Sequence, residues 1–398
     1  MIGKIRQLNW IDDNKYELVT GGLIDTIMVK LHFRSEKNPG YIKRAIFYSA
    51  VTWFPLMLLS IFEGNLIDEN VDINFLEDFL THIRFLLVVP FLVMIERVVD
   101  NSLDNYVNST HRIIEEKEEI KFGAITKRLQ NLSDAFLPEV IFILIIGLII
   151  FTNWSSLEFS QSKWNLRREE LGSDFSIAGI YYLFISIPIY ELLLIRWFWR
   201  WCIWTYSVFK FSRLNYNIES THADKMAGME YLNIVPFNFG IVALSLAAIT
   251  SALLGIGIVY FNHSLTEYYY LILAFIIVIP VTIYLPLLLF IPALIKAKIR
   301  GISYFGSLIQ HHNVLYKLKW MSGSMPENEN ILGSLDNSSM ADINGVYQQS
   351  ISEMSSIPIN LRMMISAMLI LIIPFIPLLG TMYTFGELIN KLIEVFMS

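Results

Sequence analysis

Apolar residues in this chain are gathered into long runs separated by polar stretches, and seven runs approach the roughly twenty residues a helix needs to cross a bilayer. They fall at 44–62, 80–99, 136–154, 177–200, 233–260, 268–295 and 362–382. The second is the least clean: its core, FLLVVPFLVMI, is flanked by Arg84 and Glu96, and spanning requires Arg84 to snorkel outward. The pattern predicts an all-α, polytopic helical membrane protein.

Polar regions carry helical periodicity too. Residues 22–32, GLIDTIMVKLH, and 112–132 each place apolar residues on one face. The predicted organisation is an N-terminal segment 1–43, spans one to six within 44–295, an insert 296–361, a last span 362–382 and an amphipathic C-terminal helix 383–398. Within 44–295 lie a helical segment 100–135 and a loop 201–232. Within the insert, 322–340 (SGSMPENENILGSLDNSSM) reads as a flexible loop. No internal repeat is visible, which removes support from inverted-repeat transporter plans.

Charge sets the expected orientation. The segment through Arg44 holds eight Lys and Arg residues, whereas the first loop, 63–79, holds none and carries six acids. Basic residues return after spans two, four and six, the third loop has Lys163, Arg167 and Arg168, and the loop NHSLTE has none. This predicts a cytoplasmic N-terminus, an external C-terminus and a multi-pass protein of the bacterial inner membrane. Only 17% of the 398 residues are charged and 54% are hydrophobic, which excludes an ordinary soluble domain. Cys202 is the sole cysteine, so no intramolecular disulfide is expected, and no signal-peptide pattern is seen.

Ten of the thirteen prolines fall in the spans, with Pro280, Pro286 and Pro292 recurring in span six, where a bend is expected. Each proline frees a carbonyl that must find a partner within the membrane. Span five carries a small-residue stripe, Gly240, Ala243, Ala247, Ser251 and Gly255. The stripe implies close helix packing, or else a pore wall or subunit interface to which Asn238 would add a polar group. Glu191 is the clearest mid-membrane carboxylate and requires a partner from another helix, and Glu139 is expected at the interface.

Catalytic and metal signatures are missing: there is no phosphate loop, serine elbow or zinc-protease helix. The glutamates of EEKEEIK (115–121) are on a polar helix, unlike the paired glutamates of membrane prenyl-protein proteases. No enzyme, cofactor or metal is expected. The run RWFWRWCIWTYSVFKFSRL (196–214) reads as an interfacial belt of Trp197, Trp199, Trp201 and Trp204 with positive-inside cations. Its alternative reading is an anion site, since guanidinium planes and indoles suit phosphates and bases.

The segment THADKMAGMEYL lies just before span five. It resembles a motif of uncharacterised bacterial multi-spanning membrane proteins, His-Pro-Asp-Arg-x-Gly-Gly-Leu-x-Phe-Leu. His222, Asp224, Lys225, Gly228, Tyr231 and Leu232 match or nearly match, while Ala223, Ala227 and Glu230 depart. The resemblance implies a helical membrane architecture and no activity. On the residues themselves, Thr221 or Ser220 is expected to cap the helix start, with Asp224 at its positive end.

The leading expectation is an oligomeric channel opened from the cytoplasm, with His222, Asp224, Lys225, Arg196, Arg200 and Arg213 holding an anionic ligand such as a nucleotide or oligonucleotide. Asn238, Gly240, Ser251, Gly255 and Glu191 are its expected pore or interface residues. Expected partners are membrane lipid, further copies of the chain and that ligand or a regulatory protein. The alternatives are a secondary transporter using Glu191, a membrane enzyme using His222 and Asp224, and a scaffold.

Overall fold

The computed structural model describes residues 21–33, 39–67, 73–152, 164, 176–321, 335–348 and 353–381. The described residues form helices and short turns, with one isolated β-bridge between Ile114 and Tyr216. Helix α1 is Gly22–Lys30, α2 is Tyr41–Phe62 and α3 is Phe79–Ile113. They are followed by α4, Glu119–Ser133, α5, Leu137–Thr152, and α6, Ile177–Phe211. Then come α7, Glu230–Phe261, α8, Tyr269–Tyr284, α9, Ile291–Trp320, α10, Leu335–Gln348, and α11, Leu361–Leu379. Seven of the helical stretches are long and apolar enough to cross a membrane, as the hydrophobic pattern predicts.

The termini of these helices are set by local chemistry. Asn74 with Glu77, and Ser264 with Glu267, form reciprocal capping boxes. Asn360 accepts from the amides of Arg362 and Met363 at the start of α11. Glu63, at the end of α2, accepts from the first amides of α6, Ile177 and Ala178, at 2.6 and 3.2 Å. A carboxylate is favoured there by the positive helix terminus.

The boundaries differ from expectation in four places. The loop expected at 201–232 begins as helix, because α6 continues to Phe211. The insert expected from 296 likewise begins as helix, because all of α9 after its first five residues lies within it. Within 322–340, the residues from Leu335 onward are helical in α10, and 322–334 lie outside the described residues. The amphipathic helix expected at 383–398 also lies outside them. The second span is no shorter than the others, since α3 continues past a turn at Ile95 into the 100–113 region.

Proline shapes the bundle through the carbonyls it frees. Pro55 cannot bond the Val51 carbonyl, and the Tyr181 hydroxyl from α6 donates to it instead at 2.9 Å. Ser186, also of α6, donates to the neighbouring Thr52 O at 2.8 Å. Pro90 and Pro188 each follow a widened π-helical stretch, Ile83–Val88 in α3 and Tyr182–Ser186 in α6. At Pro286 and Pro292 the helix tightens to 3-10 geometry over Leu285–Phe290, between α8 and α9.

α7 is the central helix, with 61% of its apolar window buried. Its small residues pack within the chain. A methyl on Gly240 would sit 3.1 Å from Ala367 of α11, and one on Gly255 would sit 3.2 Å from Phe79 of α3. Ser251 donates to Pro374 O of α11 at 2.6 Å, and Ala243, Ala247 and Asn238 are buried. The stripe therefore builds the fold of one chain. Of the expected pore or interface residues, Gly240 and Ser251 pack against α11, Gly255 packs against α3 and Asn238 is buried, while Ser251 and Gly255 also border a cavity. Where α3, α7 and α11 diverge they leave a cavity of about 390 Å³ between Phe79, Phe91, Leu244, Gly255 and Leu378. Its two serine hydroxyls, of Ser245 and Ser251, are bonded to backbone carbonyls. The cavity is accordingly apolar.

Candidate functional site: a buried chain of alternating charges

Six ionised side chains from five helices meet at the end of the bundle where α2 and α5 begin. Their order alternates in sign. Glu139 meets Arg196 Nε at 3.2 Å, and Arg196 meets Asp25 at 3.3 Å. Asp25 lies 3.7 Å from Arg44, which forms an ion pair with Glu96 at 2.8 Å, and Glu96 accepts from Arg200 at 3.0 Å. All six are buried, none being more than 5% exposed.

Each position follows from local sequence. Asp25 is in the first turn of α1, and the Gly21 amide donates to it at 2.6 Å. Arg44 and Glu139 occupy the first turns of α2 and α5. Arg196 and Arg200, four residues apart, share one face of α6. Glu96 lies in α3, at the turn after Ile95. Three arginines face three carboxylates, so the network is neutral as a whole. Burial of single ions would be prohibitive, whereas alternating ions desolvate together. Arg44 Nε, Arg196 Nη1 and the Tyr48 hydroxyl are nonetheless buried without a hydrogen-bond acceptor or donor. A cavity of about 20 Å³ lies between Gly21, Ser133, Glu139, Arg196 and Arg200, room for one water-sized group.

Several expectations are corrected here. Arg196 and Arg200 are not open cations, since both are committed to carboxylates. Glu139, expected at the interface, is buried among the other helices at the start of α5. Trp197 and Trp204 are buried, Trp197 donating to Leu92 O at 3.1 Å and Arg200 lying over its ring at 4.6 Å, so they belong to no interfacial belt. Asp25, Arg44 and Glu96 are the members that sequence reasoning missed. The signal available was that each interrupts an otherwise apolar helical face.

His222, Asp224 and Lys225 lie elsewhere, in the turn before α7. Asp224 accepts from the amides of Met226, Gly228 and Glu230 at 2.9, 3.0 and 3.0 Å, and pairs with His222 at 2.8 Å. Asp224, not Ser220 or Thr221, gathers the amides before the helix. The turn needs left-handed backbone at Lys225, Ala227 and Gly228, with φ of 60°, 56° and 85°. These last two are the positions of the paired glycines in the resembled motif, and glycine is the residue that adopts this conformation without strain. Lys225 pairs with Glu353 at 3.2 Å, and its carbonyl accepts from the Ser355 amide. Asn233, fully buried, donates to Pro358 O and accepts from the Asn360 amide. The junction thus ties the start of α7 to the start of α11. Arg213 stacks on Phe209 at 3.9 Å. The six residues expected to hold one ligand are therefore divided: Arg196 and Arg200 are in the buried network, His222, Asp224 and Lys225 are in this surface turn, and Arg213 is just past the end of α6.

Burial pushes the Asp224 carboxyl up, but the amides of Gly228, Met226 and Glu230 and the His222 ring outweigh it and hold the group below the usual carboxylate range. A depressed native value gives stability that is present above the unfolded value and lost as pH falls through the folded one. Asp224→Asn is therefore expected to lower stability by about 1–3 kcal/mol at neutral pH. The gap between wild type and variant in thermal melts should stay constant down to roughly pH 4 and close below it.

A third group is inside the membrane-spanning region. Arg84 does not snorkel. It turns inward from the π-helical stretch of α3, donates to the Tyr182 hydroxyl in the matching stretch of α6 and lies over the Tyr190 ring at 5.1 Å. Glu191 is half-buried in α6, and among the described residues no hydrogen bond or ion pair joins it to Arg84. Among the described residues, no three His, Cys, Asp or Glu side chains converge as metal ligands.

No family model matches the chain, and no curated protein or solved structure matches it.

Proposed function

We propose that the chain forms an oligomeric channel of the bacterial cytoplasmic membrane, opened from the cytoplasmic side by an anionic ligand such as a nucleotide or oligonucleotide, and that opening depolarises the membrane. The observation that carries this reading is Asp25. It is the one member of the charge network borne by a helix outside the seven spans, and it lies between Arg44 of the first and Arg196 of the fourth. Among the described side chains of α1, Met28 is the other buried one. A phosphate-bearing ligand offers the same arginines a better bidentate acceptor than one carboxylate. Displacing Asp25 would release α1 and leave spans one and four free to shift. The apolar character of the cavity between α3, α7 and α11 favours a conducting path between copies.

Purified protein in planar bilayers is expected to conduct when nucleotides or oligonucleotides are added on the α1 side. Asp25→Asn should raise open probability without ligand. Bilayers that stay silent with every such ligand and with Asp25→Asn would reject the channel.

Glu191 supports a second reading, a secondary transporter. A half-buried carboxylate inside a membrane span is the kind of group that takes up an ion or a proton during transport. Under that reading Glu191→Gln abolishes uptake into vesicles while assembly is retained, and unchanged uptake rejects it.

A further inference from the structure

α9 continues well past the basic residues Lys296, Lys298 and Arg300, and its 30 residues make it about 45 Å long. One face of its distal half is covered by α10. Asp336 accepts from Lys319 at 2.7 Å and from Trp320 at 3.1 Å, and Tyr347 packs over Gly306. The two helices are thus antiparallel. The opposite face is open. It presents Tyr304, Leu308, His311, Leu315 and Leu318, and its four apolar members are 41–68% exposed.

The spacing of these five residues is four, three, four, three. That is the seam of a coiled coil, in which each side chain enters a hole formed by the facing helix. A surface left wet by accident has no reason to keep this register, and a helix lying flat on a membrane shows a broader apolar face. A heptad seam is complementary to a helix bearing the same seam in the same direction. Copies of a multi-spanning protein inserted alike in one bilayer present α9 in that parallel arrangement. Two heptads alone would be marginal in free solution. Anchoring in a shared membrane raises the local concentration of the partner helices and makes so short a seam sufficient.

We infer that the Tyr304–Leu318 face of α9 is the contact between copies of this chain, forming a parallel helical bundle beyond the membrane. The inference rests on the oligomeric part of the proposed function and is independent of conduction. His311 is the polar layer of the seam, a device that fixes register and number of strands. α10 buttresses the outer side of each seam helix.

Cysteine crosslinking in membranes tests this. In a Cys202→Ser background, Leu308→Cys and Leu315→Cys are compared with Ser303→Cys and Lys317→Cys, exposed positions away from the seam. Mild oxidation should join copies at the seam positions at least about tenfold faster than at the controls. Separately, Leu308→Glu with Leu315→Glu should shift the detergent-solubilised assembly toward monomer while helicity and melting of the chain persist. Equal crosslinking at all four positions overturns the inference, as does an assembly of unchanged mass in the double variant. Seam cysteines that neither crosslink nor react with a water-soluble maleimide also overturn it, because the face then lies on lipid. A crosslinked assembly that never conducts would fail the channel alone. A conducting protein whose seam cysteines stay unjoined would fail this inference alone.

Discussion

Glu96→Ala is expected to destabilise the protein by about 3–5 kcal/mol, the largest effect of any single substitution considered. Glu96 is the only carboxylate that meets both Arg44 and Arg200 within the described network. Removing it takes from Arg44 its carboxylate at 2.8 Å, leaving Asp25 at 3.7 Å, and from Arg200 its carboxylate at 3.0 Å. Neither can lose its proton at any accessible pH. The strain must therefore be relieved by water entry or by separation of α2, α3 and α6. Thermal or denaturant unfolding in micelles measures the loss. Glu96→Gln keeps the shape and some hydrogen bonding, so it should fall between wild type and Glu96→Ala. A Glu96→Ala protein as stable as wild type would show that the arginines find other partners.

Asp25→Asn should act differently, although it touches the same network. Asp25 is carried by a short helix whose other described anchor is Met28. Glu139 and Glu96 would still hold Arg196 and Arg44 within the spans. The expected outcome is local release of α1, with the bundle intact. Losing charge-assisted bonds worth about 3 kcal/mol would speed amide hydrogen exchange in α1 by roughly 100-fold. Exchange in α2 should not change. Equal acceleration in both would mean that α1 is integral to the bundle and unsuited to a gating role.

The spans were legible because the bilayer imposes one rule on every crossing segment, a long apolar run. Helix termini and the charge network were not, for separate reasons. α6 and α9 run past their apolar stretches because nothing in 201–211 or 296–320 breaks a helix, and polarity was read as loop. The prolines were read correctly as sources of unsatisfied carbonyls, but only the structure shows that Tyr181 serves the one freed by Pro55. Cations near helix ends commonly snorkel outward, whereas the Tyr182 hydroxyl and Tyr190 ring draw Arg84 inward. Positive-inside counting treated Arg44, Arg196 and Arg200 as solvated charge. A count cannot distinguish a surface arginine from one paired across helices, since pairing depends on which faces meet. Asp224 was recognised as suited to positive backbone groups, while the left-handed turn that aims those amides at it was invisible without φ angles.

The paired π-helical stretches in α3 and α6 have one more consequence. Each holds one residue more than an α-helix of the same rise would need, and that surplus turns all that follows by about 100° about the helix axis. In α6 the stretch precedes Arg196 and Arg200, and in α3 it precedes Glu96. The two surpluses therefore act as phase adjusters between the two ends of the bundle. A homologue lacking one residue in either stretch could keep every arginine and glutamate and still have no continuous line of alternating charge.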